Sequence, residues 1–304
     1  MFSLLKSLFS LSLLKEGSKA SAQVQRPLQM SSVTTTCDSD VLREKARAAL
    51  YGLFVGDASA MPTHWYYSLA DLKEDYGEIS GYVKPKQRLR GSIMNKSNTG
   101  GGGRGSFTGD IIGSVINHGK KKFWAKGQEI HYHQSLNAGE HTLEASLTLL
   151  LMKRISAIGS FNTDDFRAAY ITNMRTPGFH NDTYASTCHR MFFANLLSGK
   201  SPSECPDNDG HNVNTIDALT LTVPTIMKYA SANKEIRDKM VIDTIQVTRR
   251  TGRNLNNYAI VFSDLLVDVL NGKDLRSATE DAGKKVGISS VSALTHNSRD
   301  PMVS

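Results

Sequence analysis

Three observations predict an all-α domain. Apolar residues recur at helical spacing from Val41 onward, strand signals are sparse, and polar loops fall between the helical stretches. Leu42, Ala46, Ala49, Leu50 and Leu53 make one stripe, and Leu143, Leu147, Leu150 and Leu151 make another. Further helices fit residues 164–173, 183–198, 214–231, 234–248, 254–271 and 275–285. A chain of 304 residues with 39% in the hydrophobic class can bury one large core or two small ones. Residues 86–109 form the clearest loop, centred on Gly100–Gly103, Arg104 and Gly105. It lacks the Gly-Lys-Ser/Thr ending that would hold a nucleotide phosphate and its magnesium, so it reads as a lid or insertion.

Residues 1–39 read as a leader and 40–304 as the helical domain. The leader carries Lys6, Lys15, Lys19 and Arg26 against Glu16, with Leu4, Leu5, Leu8, Phe9 and Leu11 on one helical face. That pattern predicts a transit peptide for the mitochondrion or another organelle; a secretory signal cleaved after Ala20-Ser21-Ala22 and a disordered cytoplasmic tail are the alternatives. The formal charge is +7, with small basic runs at Lys120–Lys122 and Arg249–Arg253. No aromatic residues interleave with them as a base-stacking surface needs, so no nucleic-acid partner is expected, although mild attraction to anionic ligands is. Cys37, Cys188 and Cys205 are widely spaced and odd in number, which argues against a disulfide framework or a thiolate zinc site. No apolar run approaches the ~20 residues that span a bilayer. Nothing in the sequence fixes an oligomeric state.

The chemistry concentrates in four segments. In AALYGLFVGDASAMPTHWYY (48–67) an apolar helical run is expected to break at Gly56-Asp57 and again at Met61-Pro62, placing acidic, imidazole and aromatic groups together. The others are HYHQSLNAGEHTLEASLTLLL (131–151), GFHNDTYASTCHRMFFAN (178–195) and CPDNDGHNVNTIDALTLTVP (205–224). In order, over about residues 45–290, these segments resemble the ADP-ribosylglycohydrolase family, and more closely its branch related to jellyfish J-type lens crystallins. The resemblance implies an all-α fold in which carboxylates at helix ends hold two magnesium ions over the scissile bond of ADP-ribose, as hard cations require oxygen ligands.

On that resemblance, Gly56-Asp57-Ala58 matches the first motif, with His64 where relatives carry Glu; an imidazole there serves as a proton carrier near neutral pH. The family's Thr-Asp-Asp-Thr aligns with Gly139-Glu140-His141-Thr142. The expected magnesium ligands are therefore Asp57, Glu140 and Thr142, and the expected catalytic groups Glu140, His64 and His141. His131 and His133, two apart, would share a face if extended, with no third metal ligand fixed by sequence. His180, Asn181, Asp182 and Tyr184 offer donors and acceptors suited to ribose hydroxyls, and Asp182 is equally placed to cap the helix that follows. Asp207, Asn208, Asp209, His211 and Asn212 form a loop at a helix start, suited to a pyrophosphate; the spacing of a calcium-binding EF-hand is not met.

At the other end, SALTHNSRDPMVS carries an isolated Asp300 in place of the family's Asp-x-Asp-Thr and its closing helix. A helical domain without that helix, and a weak or incomplete magnesium site, are the resulting expectations. The function implied is magnesium-dependent hydrolysis of an ADP-ribose-type N- or O-glycosidic bond. The alternative is a non-catalytic ADP-ribose-binding or crystallin-like structural protein.

Overall fold

The computed structural model describes residues 34–92, 94, 99–100, 109–125, 127–207 and 214–288. Among these, nine α-helices follow in order: α1 Thr34–Ala60, α2 Leu69–Tyr76, α3 Leu143–Ile158, α4 Thr163–Met174, α5 Thr187–Leu197, α6 Ala218–Lys228, α7 Lys234–Gln246, α8 Arg253–Leu270 and α9 Leu275–Lys285. Extended pairing among the described residues is confined to isolated bridges such as Arg88 with Ile130 and Asp207 with Arg249. The all-α expectation holds. No helix among the described residues is long and apolar enough to cross a membrane.

Helix boundaries follow local chemistry. Asn162, Asn233 and Asp274 each accept a backbone N–H of the first turn and so start α4, α7 and α9. Gly159 ends α3 in the left-handed region at φ 80°, where a Cβ would be strained. The sequence periodicity missed α2, whose residues are all at least partly exposed and whose start is the Ser68 cap. It also placed the beginning of α5 four residues early: residues 183–186 are turn and extended backbone, and the helix begins only at Thr187.

The first helix corrects a second expectation. It does not break at Gly56-Asp57 but continues to Ala60, passing directly into a 3-10 turn at Met61–Thr63. Pro62 is tolerated there because the first-turn amides of a helix have no intrahelical partner to lose. Asp57 is thus presented from inside a helix. The helix also reaches back to Thr34, into the segment expected to be leader.

Two apolar clusters share α3 as their common wall. Leu143, Leu147, Leu150, Leu151 and Ile155 of α3 pack with Phe166 and Tyr170 of α4 and Phe192 and Phe193 of α5. From the same helix, Ala145 and Met152 join Leu50 and Phe54 of α1, Ile226 of α6, Val241 and Ile245 of α7 and Leu255 of α8. Helix α6 touches α1, α3, α7 and α8, and is buried nearly all round, as an apolar helix at the centre of a bundle must be. These contacts bring the end of α1 and the starts of α3, α5 and α6 to one region.

A candidate active-site cleft

That region is a cleft of 930 Å³. Asp57 and Ala60 enter it from α1, His64 and Trp65 from the turn after α1, and His133 from the loop before α3. Thr142, Leu143 and Glu144 come from the start of α3, Ser186, Thr187 and Cys188 from the start of α5, and Asn214 to Asp217 from the approach to α6. Asp182, Tyr184 and Arg249 also line it.

Two of the motifs are tied together at Asp57. The Thr142 N–H donates to Asp57 Oδ2 at 2.7 Å and its hydroxyl donates to Oδ1 at 2.7 Å. Burial pushes the Asp57 carboxyl above its ordinary range and the two Thr142 donors pull it back, leaving a net rise. Asp182 does a related job. Its Oδ2 accepts the Leu143 N–H at 2.9 Å, so it caps α3 rather than the helix that follows it, whose cap position is Ser186. Its Oδ1 accepts from His133 Nδ1 at 2.8 Å and from the Tyr184 N–H at 3.2 Å. Burial raises the Asp182 carboxyl, yet His133 and the Leu143 amide outweigh it and hold the group below the usual carboxylate range.

Three histidines form a continuous chain beside these acids. His64 Nδ1 lies 2.6 Å from His133 Nε2, and the two rings are within 18° of parallel with centroids 4.9 Å apart, the separation of rings joined edge to edge through one N–H···N bond. The His133 N–H donates to His131 Nδ1 at 3.0 Å, so His131 must carry its proton on Nε2, which donates to the Pro62 carbonyl at 3.0 Å. Burial lowers His64 to about 3 and His131 to about 4. Trp65 is held at φ 63°, an uncommon conformation for a bulky residue, by packing against His64 at 4.1 Å and Tyr132 at 4.0 Å between ring centroids.

A second chain runs behind Glu144. Its Oε1 lies 3.0 Å from His189 Nε2, and His189 Nδ1 lies 2.8 Å from the Tyr170 hydroxyl. With a carboxylate at one end, His189 donates from Nε2 and accepts the tyrosine proton at Nδ1. Both supporting residues are fully buried. Arg249, 4% exposed, donates from both terminal nitrogens to the Asp217 oxygens at 3.0 Å each. Although burial pushes the Asp217 carboxyl up, this arginine holds it below its ordinary value.

Of the expected site residues, Asp57, His64, Thr142, Asp182 and Tyr184 line the cleft. Glu140 does not. Its Oε2 accepts from the Asn137 N–H at 2.8 Å and from Asn181 Nδ2 at 3.1 Å, because the turn at Gly139 folds its side chain onto its own loop. His141 also stands outside the lining, edge-on to Phe54 at 5.7 Å and lowered in pKa by burial. Asn181 spends its amide on Lys120, Ser135 and Glu140, and His180 Nδ1 accepts the Asp182 N–H. Asp207 is buried, with its Oδ2 on Asn195 Nδ2 at 3.1 Å. Asn208, Asp209, His211 and Asn212 lie outside the described residues.

Glu144, Asp217 and Arg249 were missed by sequence reasoning although all three face the cleft. The available signal was position: Glu144 sits one turn beyond Glu140 at a helix start, and Asp217 immediately precedes an apolar helix.

The donor set was expected to hold magnesium. Asp57 and Thr142 face each other, but both Asp57 oxygens already accept from Thr142, and Glu140 is turned away. Among the described residues no group of three or more His, Cys, Asp or Glu is placed to hold a metal ion. The described residues therefore do not by themselves furnish a two-cation centre.

No curated protein and no solved structure matches the chain. The family model for ADP-ribosylglycohydrolase matches residues 38–299, a span that contains every element of the cleft. The chain belongs to the ADP-ribosylglycohydrolase family.

Proposed function

We propose that the cleft binds ADP-ribose or an ADP-ribosylated substrate and hydrolyses an N- or O-glycosidic bond at the distal ribose. One observation carries the reading beyond family membership. Helices α5 and α6 start at the cleft and neither is capped by the side chain at its own N-cap position, while α3, which starts beside them, has its Leu143 N–H taken by Asp182. Uncapped helix starts direct backbone N–H groups and positive partial charge at anionic ligands, the property a pyrophosphate requires. A volume of 930 Å³ suits a ligand of that size.

Glu144 is the base in this proposal. Its Oε1 is fixed by His189, and Oε2 has no hydrogen-bond partner among the described residues. Oε2 takes a proton from a water whose oxygen forms the new bond to the anomeric carbon. The glycosidic bond breaks, the leaving oxygen or nitrogen keeps the bonding pair, and it takes a proton from bulk water. The closer kinship with the J-type lens crystallin branch is part of the same proposal.

A second reading has its own support. Asp57 is consumed by Thr142 and Glu140 by its own loop, so acids of two motifs serve structure, which favours ADP-ribose binding without turnover. One experiment separates the two. Turnover of an ADP-ribosylated peptide and of O-acetyl-ADP-ribose is measured with and without magnesium, beside calorimetric binding of ADP-ribose. Turnover lost in Glu144→Gln supports the hydrolase. Binding without turnover supports the second reading, and the absence of both sinks the substrate class.

A further inference from the structure

We propose that a second recess, separate from the cleft, binds the phosphate group of inorganic phosphate or of a small phosphomonoester through Arg167, Arg249 and Arg250. The inference goes beyond the ADP-ribose reading and does not rest on it.

Two orphaned donors mark the place. Among the described residues, six buried side-chain polar atoms have no hydrogen-bond partner. Four are amide oxygens of Asn or Gln, and the two donors are the Nε–H groups of Arg167 and Arg249. These arginines come from different elements, α4 and the segment after α7, yet both line one recess of about 380 Å³. Buried N–H groups are ordinarily paired, so two unpaired cationic donors on one cavity point to a missing acceptor. Arg249 is 4% exposed, which leaves bulk water little access to it.

The rest of the wall suits an oxyanion. Thr163 and Arg167 stand one turn apart on α4 and share a face. Ser203 comes from the 3-10 turn Pro202–Glu204, Gln246 from the end of α7, and Arg250 and Thr251 from the segment before α8. That segment is held in place: the Arg250 N–H donates to the Asp207 carbonyl at 3.2 Å, and Gln246 Nε2 donates to the Thr251 hydroxyl at 3.0 Å. Guanidinium and hydroxyl groups converging from several elements match a tetrahedral phosphate, whose oxygens accept from several directions at once.

Binding there costs no existing ion pair. Arg167 spends Nη1 on Asp164 and Arg249 spends both terminal nitrogens on Asp217, so each Nε–H remains unspent. Two acids also line the recess, and both are engaged: Asp243 is paired with Lys239, and Glu204 accepts from the N–H and the hydroxyl of Ser201. The basic run Arg249–Arg253, which the sequence marks with mild attraction to anions, thus supplies two of the three cations, and the fold brings the third from α4.

The test reads the two donors directly. Nitrogen-15 NMR follows the arginine Nε–H resonances of the full-length protein during titration with inorganic phosphate and, separately, with glycerol 3-phosphate, each against sodium chloride at matched ionic strength. The Arg167 and Arg249 resonances, assigned by their loss in Arg167→Gln and Arg249→Gln, should shift and saturate at one equivalent. The tighter of the two ligands identifies whether free phosphate or a monoester is the occupant. Calorimetry should show phosphate binding weakened roughly tenfold in Arg167→Gln and in Arg250→Gln, the weight of a charge-assisted hydrogen bond. Saturating ADP-ribose should leave the Arg167 response intact, because Arg167 lines the recess and not the cleft. Far-UV circular dichroism establishes that each variant folds, and the wild-type titration follows the response of the unaltered chain. Unmoved resonances, equal movement in chloride, undiminished affinity in both variants, or loss of the Arg167 response under ADP-ribose overturns the proposal.

Discussion

Thr142 holds Asp57 twice, by its backbone N–H and by its hydroxyl, each at 2.7 Å, across 85 residues of sequence. The contact joins the end of the first long helix to the start of α3. Replacing Thr142 by Val keeps the amide bond but leaves Asp57 Oδ1 short of a donor. A loss of about 1–2 kcal/mol is expected, the cost of a half-buried acceptor stripped of its partner. Urea denaturation of the variant measures it, and an unchanged midpoint would show that the hydroxyl contributes nothing.

The two neighbouring glutamates should behave oppositely in assays of ADP-ribosyl hydrolysis. Glu144→Gln is expected to lower turnover by about 100-fold, the scale of losing a positioned acid–base group. Glu140→Gln should stay within a few-fold of wild type, since that side chain is directed at Asn137 and Asn181. The reverse order of effects would restore Glu140 to the chemistry and remove Glu144 from it.

Acid should destabilise the protein well before carboxylates titrate in general. His64 is lowered to about 3, and His131 and His180 each to about 4, mainly by burial. Between those values and the unfolded value of about 6.5 the unfolded chain binds more protons, so stability rises with pH through this window. The contribution is complete above about pH 6.5 and is lost progressively as pH falls toward 3–4. Urea midpoints at pH 8, 6.5 and 5 give the check: a flat line from 8 to 5 contradicts the burial of neutral histidines.

Asp217 and Arg249 form an ion pair in the cleft wall. Asp217→Ala strands a buried guanidinium and should cost roughly 3 kcal/mol. The double replacement Asp217→Leu with Arg249→Met should cost less than the single one, because no charge is left unpaired. Thermal melts of the two variants decide the matter; equal losses would mean that packing rather than charge sets the effect.

Sequence by itself determined the helical class and the extent of most helices, because an apolar stripe every three to four residues is legible wherever one face is buried. It also determined which segments carry polar groups, and Asp57, His64, Thr142, Asp182 and Tyr184 were named from those segments. Helix α2 escaped because it buries no residue fully, and so leaves no stripe to read. Tertiary structure alone decided the work each polar group does. Glu140 and Glu144 stand one helical turn apart, yet a turn at Gly139 sends the first to its own loop while His189, drawn in by α5, fixes the second in the cleft. Likewise Asp182, equally suited by sequence to cap the helix after it, caps α3, because the packing of the two cores carries the start of α3 to it. Hydrogen-bond partners at such separations are selected by distance in space, which no local pattern encodes.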